Sequence, residues 1–146
     1  MPDQPAAAYR SAMSTASYRH FTGRAAENYQ RDFVPLIAAP VSETLLRAAD
    51  LRQGERVLDV ACGTGHVTRT AAELVGSTGA VTGVDVAPDM IETAKSVAVP
   101  RGAHIDWQIC DAAALPIPDA SVDVVLCQLG LMFMADKDAA VTEMRM

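Results

Sequence analysis

The sequence predicts an α/β domain built on a doubly wound, mostly parallel sheet. Three observations predict it. Short apolar runs alternate with stretches of helical periodicity at intervals of about 25 residues. Two of the runs, "RVLDVAC" and "SVDVVLCQ", are nearly continuous, as strands covered on both faces are. Three runs end on or lead into an aspartate, and Asp59, Asp85 and Asp111 recur every 26 residues. Strand–helix–strand units of that length demand parallel strands joined by right-handed crossovers.

The elements follow in order. Residues 1–17 read as a mobile tail. The stretch 18–40 mixes Tyr18, Phe21, Tyr29 and Phe33 with charges and alanines. A helix is predicted over 23–32, interrupted near Pro35 and Pro40. Ser42 is placed to N-cap a second helix, "ETLLRAAD". "RVLDVAC" is strand one. "HVTRTAAELV" carries Val67, Ala71, Leu74 and Val75 on one helical face, and Gly76 is a stop. "AVTGVDV" is strand two. Pro88 opens the next helix, on which Met90, Ala94, Val97 and Ala98 repeat the spacing. "HIDWQIC" and "SVDVVLCQ" are strands three and four, and Asp136 caps a last helix, "KDAAVTEMRM".

Composition narrows the function. A chain of 146 residues, half of them hydrophobic, suits one domain with a packed core. Aromatics make up only 5%, so Val, Leu, Ala, Ile and Met build that core. The formal charge of −6 opposes nucleic-acid binding, which needs clustered Lys and Arg. No apolar run approaches the ~18–20 residues of a membrane span. The first residues lack an apolar signal core, so a cytoplasmic location is expected. Cys62, Cys110 and Cys127 are odd in number and widely spaced. They suggest small buried thiols, with neither disulfides nor a metal site.

The acids and glycines carry the chemistry. In a doubly wound sheet the carboxyl ends of adjacent strands line one crevice, where ligands bind. Any one aspartate after a strand reads as a turn former or cap. Three at one spacing read as a common rim. Gly63 and Gly65 reach backbone angles closed to other residues and let a ligand approach the main chain. The helix that follows presents free N–H groups. Asp85 is placed to accept hydrogen bonds from two ribose hydroxyls, each contributing on the order of 1.5–3 kcal/mol. Two cofactor classes remain open. The dinucleotide fingerprint G-x-G-x-x-G/A is weakened by Thr68 in "GTGHVT".

"VLDVACGTGHVT", "VTGVDVAPDMI", "CDAAALPIPDASVDVVLCQLGLMFM" and "DKDAAVTEMRM" together resemble the class I S-adenosylmethionine-dependent methyltransferases. Within them the chain is similar to the group typified by ubiquinone/menaquinone-biosynthesis methyltransferases, over residues 41–146. The resemblance implies a Rossmann-like core over 41–146 with strand order 3-2-1-4, lacking the family's later strands. Over 18–40, Tyr18, Phe21, Tyr29 and Phe33 form either an N-terminal helical lid over the cofactor or ordinary helix packing.

The cofactor implied is S-adenosyl-L-methionine, with S-adenosyl-L-homocysteine as product. Backbone at Ala61, Cys62 and Gly63, continuing to Gly65, would underlie its methionine part. Asp59 would help hold the amino group, and Asp85, with Val86 beside it, the ribose. Met90 would pack on the adenine or serve as a core residue. Asp111 would accept from the adenine amino group, and the Ala112 amide would meet a ring nitrogen. Gln128 would border the amino-acid end. No catalytic residue is nominated, because methyl transfer depends mainly on alignment; His66 is expected on the helix surface.

The function implied is methyl transfer to a small-molecule acceptor. A non-catalytic cofactor-binding fragment is the second reading, and a nicotinamide-dependent oxidoreductase the third. Strand 121–127 would be an open edge, predicting a homo-oligomer through that edge or a longer enzyme.

Overall fold

The computed structural model describes residues 24–145; the predicted tail over 1–17, Tyr18 and Phe21 lie outside the described residues. Four parallel strands form one sheet: β1 (Arg56–Val60), β2 (Ala80–Asp85), β3 (Ile105–Ile109) and β4 (Val124–Leu126). Their order is β3-β2-β1-β4, as the resemblance implies. Adjacent crossovers bring the carboxyl ends of β1, β2 and β3 side by side. The register pairs Asp59 with Gly83, Gly83 with Trp107, and Asp85 with Ile109.

Period-two alternation sends β1 side chains to two separate cores. Val57 packs with Leu46, Val67, Ala71, Val75, Val81 and Leu126 on the helical face. Leu58 and Val60 pack with Val84 and Leu115 on the other. Leu58 is fully buried, and burial of such a side chain contributes roughly 1.5–3 kcal/mol. The strand four segment is shorter than its apolar run suggests, because only Val124–Leu126 reaches β1 for pairing. Arg56 and Asp123 fix that register: the Asp123 carboxylate accepts from the Arg56 amide at 2.8 Å and from its guanidinium at 2.9 Å.

The N-terminal region departs from expectation. It runs as helix from α1 (Ala25–Asn28), through a π-helical segment (Tyr29–Ala38), into α2 (Ala39–Ala49). Pro35 lies inside the π-helical segment and Pro40 in the first turn of α2. Proline removes one backbone donor and crowds the preceding turn. Wider winding accommodates it here: the Ala39 amide reaches back five residues to the Val34 carbonyl. Ser42 is therefore a buried mid-helix residue and caps nothing; its hydroxyl donates to the Ala38 carbonyl at 2.7 Å.

The remaining helices follow the sequence closely. α3 spans His66–Val75 and stops at Gly76, whose φ is +68°. α4 spans Pro88–Ser96 with Pro88 at its start. Val97 and Ala98 fall outside α4, since Val97 is already extended. α5 spans Lys137–Glu143, and the Asp136 carboxylate accepts from the Ala139 amide at 2.9 Å. No helix among the described residues is long and apolar enough to cross a membrane.

Candidate functional site

Asp59 is the fourth residue of β1, and alternation turns it toward α3. It is 1% exposed. The Thr68 hydroxyl, in the first turns of α3, donates to its Oδ2 at 2.6 Å. Burial raises the Asp59 carboxyl to about 7, against the lowering effect of the Thr68 bond and with help from the nearby Asp85 charge. A buried carboxylate is costly unless paired, and the Thr68 hydroxyl pairs with Asp59 here.

Asp85 ends β2 and organises the glycine turn. Its Oδ2 accepts from the Gly63 amide at 2.8 Å, and its Oδ1 from the Ala87 amide at 2.9 Å. Each carboxylate oxygen keeps a free lone-pair direction, which a ligand hydroxyl can use. The turn itself is left-handed at Ala61 (φ +58°), Gly63 (φ +56°) and Gly65 (φ +81°). The Cys62 amide donates to the Val84 carbonyl at 2.9 Å, which fastens the turn to β2.

The two glycines serve different ends. A Cβ at Gly63 would lie in ordinary contact with the Tyr29 ring, at 3.6 Å. A Cβ at Gly65 would collide with the Trp107 ring and lie 3.0 Å from the Arg69 guanidinium. The space left by Gly65 is thus filled by a tryptophan from β3. Gly83 serves the same ring, since a Cβ there would lie 2.8 Å from it.

The other expected residues are placed as follows. Asp111 follows β3, and its Oδ1 accepts from the Ala113 amide at 3.0 Å, so it shapes the turn that carries Ala112. Met90 is buried against Ala26, Ala87 and Tyr29, which makes it a core residue beneath the N-terminal helix. Gln128, beyond β4, donates through Nε2 to the Ala38 carbonyl at 3.0 Å. That bond fixes its amide orientation and leaves Oε1 facing inward.

A cavity of about 30 Å³ remains among Tyr29, Asp59, Cys62, Thr64, His66 and Gln128. Thr64 Oγ1 and Gln128 Oε1 are buried there without a partner. Asp59, Thr64 and Gln128 therefore offer acceptor oxygens to one small volume. His66 is half-buried beside it at the start of α3, and burial lowers its imidazole. Thr64, Thr68 and Trp107 were not foreseen. Thr68 could have been found, because the first turns of a crossover helix lie over the strand that feeds it.

Known proteins supply the context. The sequence pattern of the methyltransferase-domain family matches residues 57–146, more than half of the chain. The chain belongs to this methyltransferase family. The methyltransferase domain is 39% identical over 97 residues to the ubiquinone/menaquinone biosynthesis C-methyltransferase UbiE of Burkholderia orbicola, covering 66% of this chain and 40% of UbiE. It thus spans well under half the length of the curated relatives it matches. Among solved structures it resembles the YcgJ protein of Bacillus subtilis (TM-score 0.64, 29% identity, 72% of this chain and 44% of that one). It also resembles the [4+2]-cyclase SpnF (TM-score 0.65, 27% identity, 95% of this chain and 50% of that one).

Family membership implies S-adenosylmethionine as cofactor, and the residues present fit it. Unpartnered buried oxygens beside a buried acid suit an ammonium group. The side-chain-free turn at Gly63, tied to the acid that ends β2, suits a nucleoside with an amino-acid tail.

Proposed function

We propose that this domain binds S-adenosylmethionine and belongs to an enzyme that methylates a small-molecule acceptor. The observation that carries the reading is the Gly63–Asp85 bond, which joins the glycine turn and the ribose-directed acid into one cradle. Asp85 and the Val86 segment would hold the ribose. Backbone from Ala61 to Gly65 would underlie the methionine part, and Asp59, Thr64 Oγ1 and Gln128 Oε1 would receive its ammonium. Asp111 and Ala112 would meet the adenine. When bound, the cofactor supplies a methyl group on a positively charged sulfur. The chain's own contribution is to orient that group and exclude water, which is where much of the acceleration of a displacement comes from.

The C-methyltransferase relatives support a carbon acceptor. The net charge of −6 supports a small molecule over nucleic acid. The free thiols of Cys62, Cys110 and Cys127 support a cytoplasmic location. Among the described residues β4 has one strand neighbour, β1, which supports pairing of the 121–127 edge with further chain or with a second copy.

The test is a transfer assay with labelled S-adenosylmethionine over a panel of quinol and phenol acceptors, alongside calorimetry. Binding with turnover supports the reading. Binding without turnover on any acceptor favours the second reading, a non-catalytic cofactor-binding module. Binding of NADH in place of S-adenosylhomocysteine would overturn both.

A further inference from the structure

The strand order turns back at β1, which lies between β2 and β4. In a doubly wound sheet such a reversal opens a crevice outside the carboxyl ends of the strands. Four non-glycine residues among those described have a left-handed φ. Asp50 and Ala120 are exposed and precede β1 and β4. Ala61 and Leu129, each at φ +58°, follow the same two strands, where the crevice opens.

Leu129 is the more unusual of the pair. The left-handed conformation presses Cβ against the following carbonyl oxygen. A bulky side chain adopts it only where the surroundings over-determine it. Leu129 is 39% exposed, so burial of its own side chain does not offset the strain. Its neighbours impose the conformation. Before it, the Gln128 side chain donates to the Ala38 carbonyl at 3.0 Å and faces the same small space as Asp59. After it, Gly130 has an ordinary φ of −87°. Glycine is needed there for space, since a Cβ would run into the Ala61 methyl and lie 3.3 Å from Cys127 Sγ. The Gly130 carbonyl also accepts from the Phe133 amide at 3.0 Å, which closes the short turn over Leu131–Phe133. The chain is therefore held on both sides of Leu129, and the link between the two fixed points is left-handed. The glycine stands where packing needs it, one position beyond where the backbone would favour it.

We infer that Leu129 is a positioning residue: its left-handed backbone joins Gly130, seated on Ala61, to Gln128, and so holds the Gln128 side chain at the amino-acid end of the cofactor site. The inference rests on the cofactor reading above and adds a residue that acts without touching the ligand. What matters at this position is backbone conformation. Asparagine, which enters the left-handed region readily, keeps Gln128 in place; valine, which is β-branched and resists it, displaces Gln128.

The test is calorimetric titration of the full chain with S-adenosylhomocysteine, together with thermal unfolding. The proteins are wild type, Leu129→Val, Leu129→Asn, Gln128→Ala and the Gln128→Ala/Leu129→Val double variant. Leu129→Val is expected to raise Kd about fivefold or more, and within the Gln128→Ala background to change it by less than about twofold. That difference separates action through Gln128 from a general loosening of the fold. Leu129→Asn is expected to bind within about twofold of wild type and to unfold at a higher temperature. An equal loss from Leu129→Val in both backgrounds overturns the inference. So does wild-type affinity in Leu129→Val, or a loss in Leu129→Asn as large as that in Leu129→Val. Where Leu129→Val does not fold, Leu129→Asn still decides, because no rise in its Tm overturns the strain on which the inference stands. Gln128→Ala without effect, beside an Asp85→Asn variant that weakens binding, overturns the inference and leaves the cofactor reading standing. No binding by folded wild type overturns both.

Discussion

The Gly63 amide donates to Asp85 Oδ2 at 2.8 Å, while the Ala87 amide donates to Oδ1 of the same carboxylate at 2.9 Å. One side chain therefore ties the turn after β1 to the start of α4. Asp85→Ala leaves both amides without that partner. A part-buried donor so orphaned costs about 1–3 kcal/mol. A loss of about 2 kcal/mol corresponds to a Tm lower by roughly 4–8 °C for a chain of this size, to be read by differential scanning calorimetry.

Asp59 predicts a pH dependence of stability. Its carboxyl is raised by burial to about 7, above the value in an unfolded chain. Between the unfolded value and 7 the folded state holds a proton that the unfolded state has lost, so this group's stabilisation declines as pH rises through that window. Asp85, also raised by burial, acts with the same sign. Asp59→Asn keeps an oxygen for the Thr68 hydroxyl and removes the titration. The variant is expected to show a smaller fall in Tm than wild type between pH 5 and pH 8.

Gly65 is predicted to be a packing glycine. Gly65→Ala would drive a methyl into the Trp107 ring, at a φ of +81°. Overpacking costs about 1–3 kcal/mol, and the left-handed angle adds about 1–2 kcal/mol. Chemical denaturation of Gly65→Ala should show that loss, and adding Trp107→Leu should recover the packing part. Failure of the second substitution to recover any stability would show that the ring is not the obstacle.

Ala61 and Gly130 form a comparable pair. Ala61 has φ +58°, and a Cβ at Gly130 would run into the Ala61 methyl. Gly130→Ala is expected to destabilise the fold, and Ala61→Gly to relieve both the collision and the left-handed strain. The double variant should unfold at higher denaturant than Gly130→Ala alone.

Much of this arrangement was legible in the sequence, where local chemistry decides. Pro88 starts α4, Gly76 ends α3, and Asp136 caps α5 through backbone rules that need no tertiary partner. The spacing of Asp59, Asp85 and Asp111 marked the carboxyl-terminal parts of β1, β2 and β3. The helix through Pro35 and Pro40 was not legible, because proline's local preference is offset by π winding and by packing of Val34 and Ala38 against the site. Trp107 over Gly65 was not legible either. It depends on the pairing of Gly83 with Trp107 across β2 and β3, which no single segment reveals. Gln128 was placed correctly at the end of β4, but its bond to Ala38 depends on where the N-terminal helix lies.

The most direct measurement is titration of wild type and Asp85→Asn with S-adenosylhomocysteine by calorimetry. Asparagine preserves the side chain's shape but turns its Nδ2 donor toward one of the Gly63 and Ala87 amides and removes the charge that hydroxyls favour. The account predicts saturable binding by wild type, weakened at least tenfold in Asp85→Asn, in line with the ~1.5–3 kcal/mol of a hydrogen bond to a charged acceptor. Equal affinity in the two proteins would contradict it.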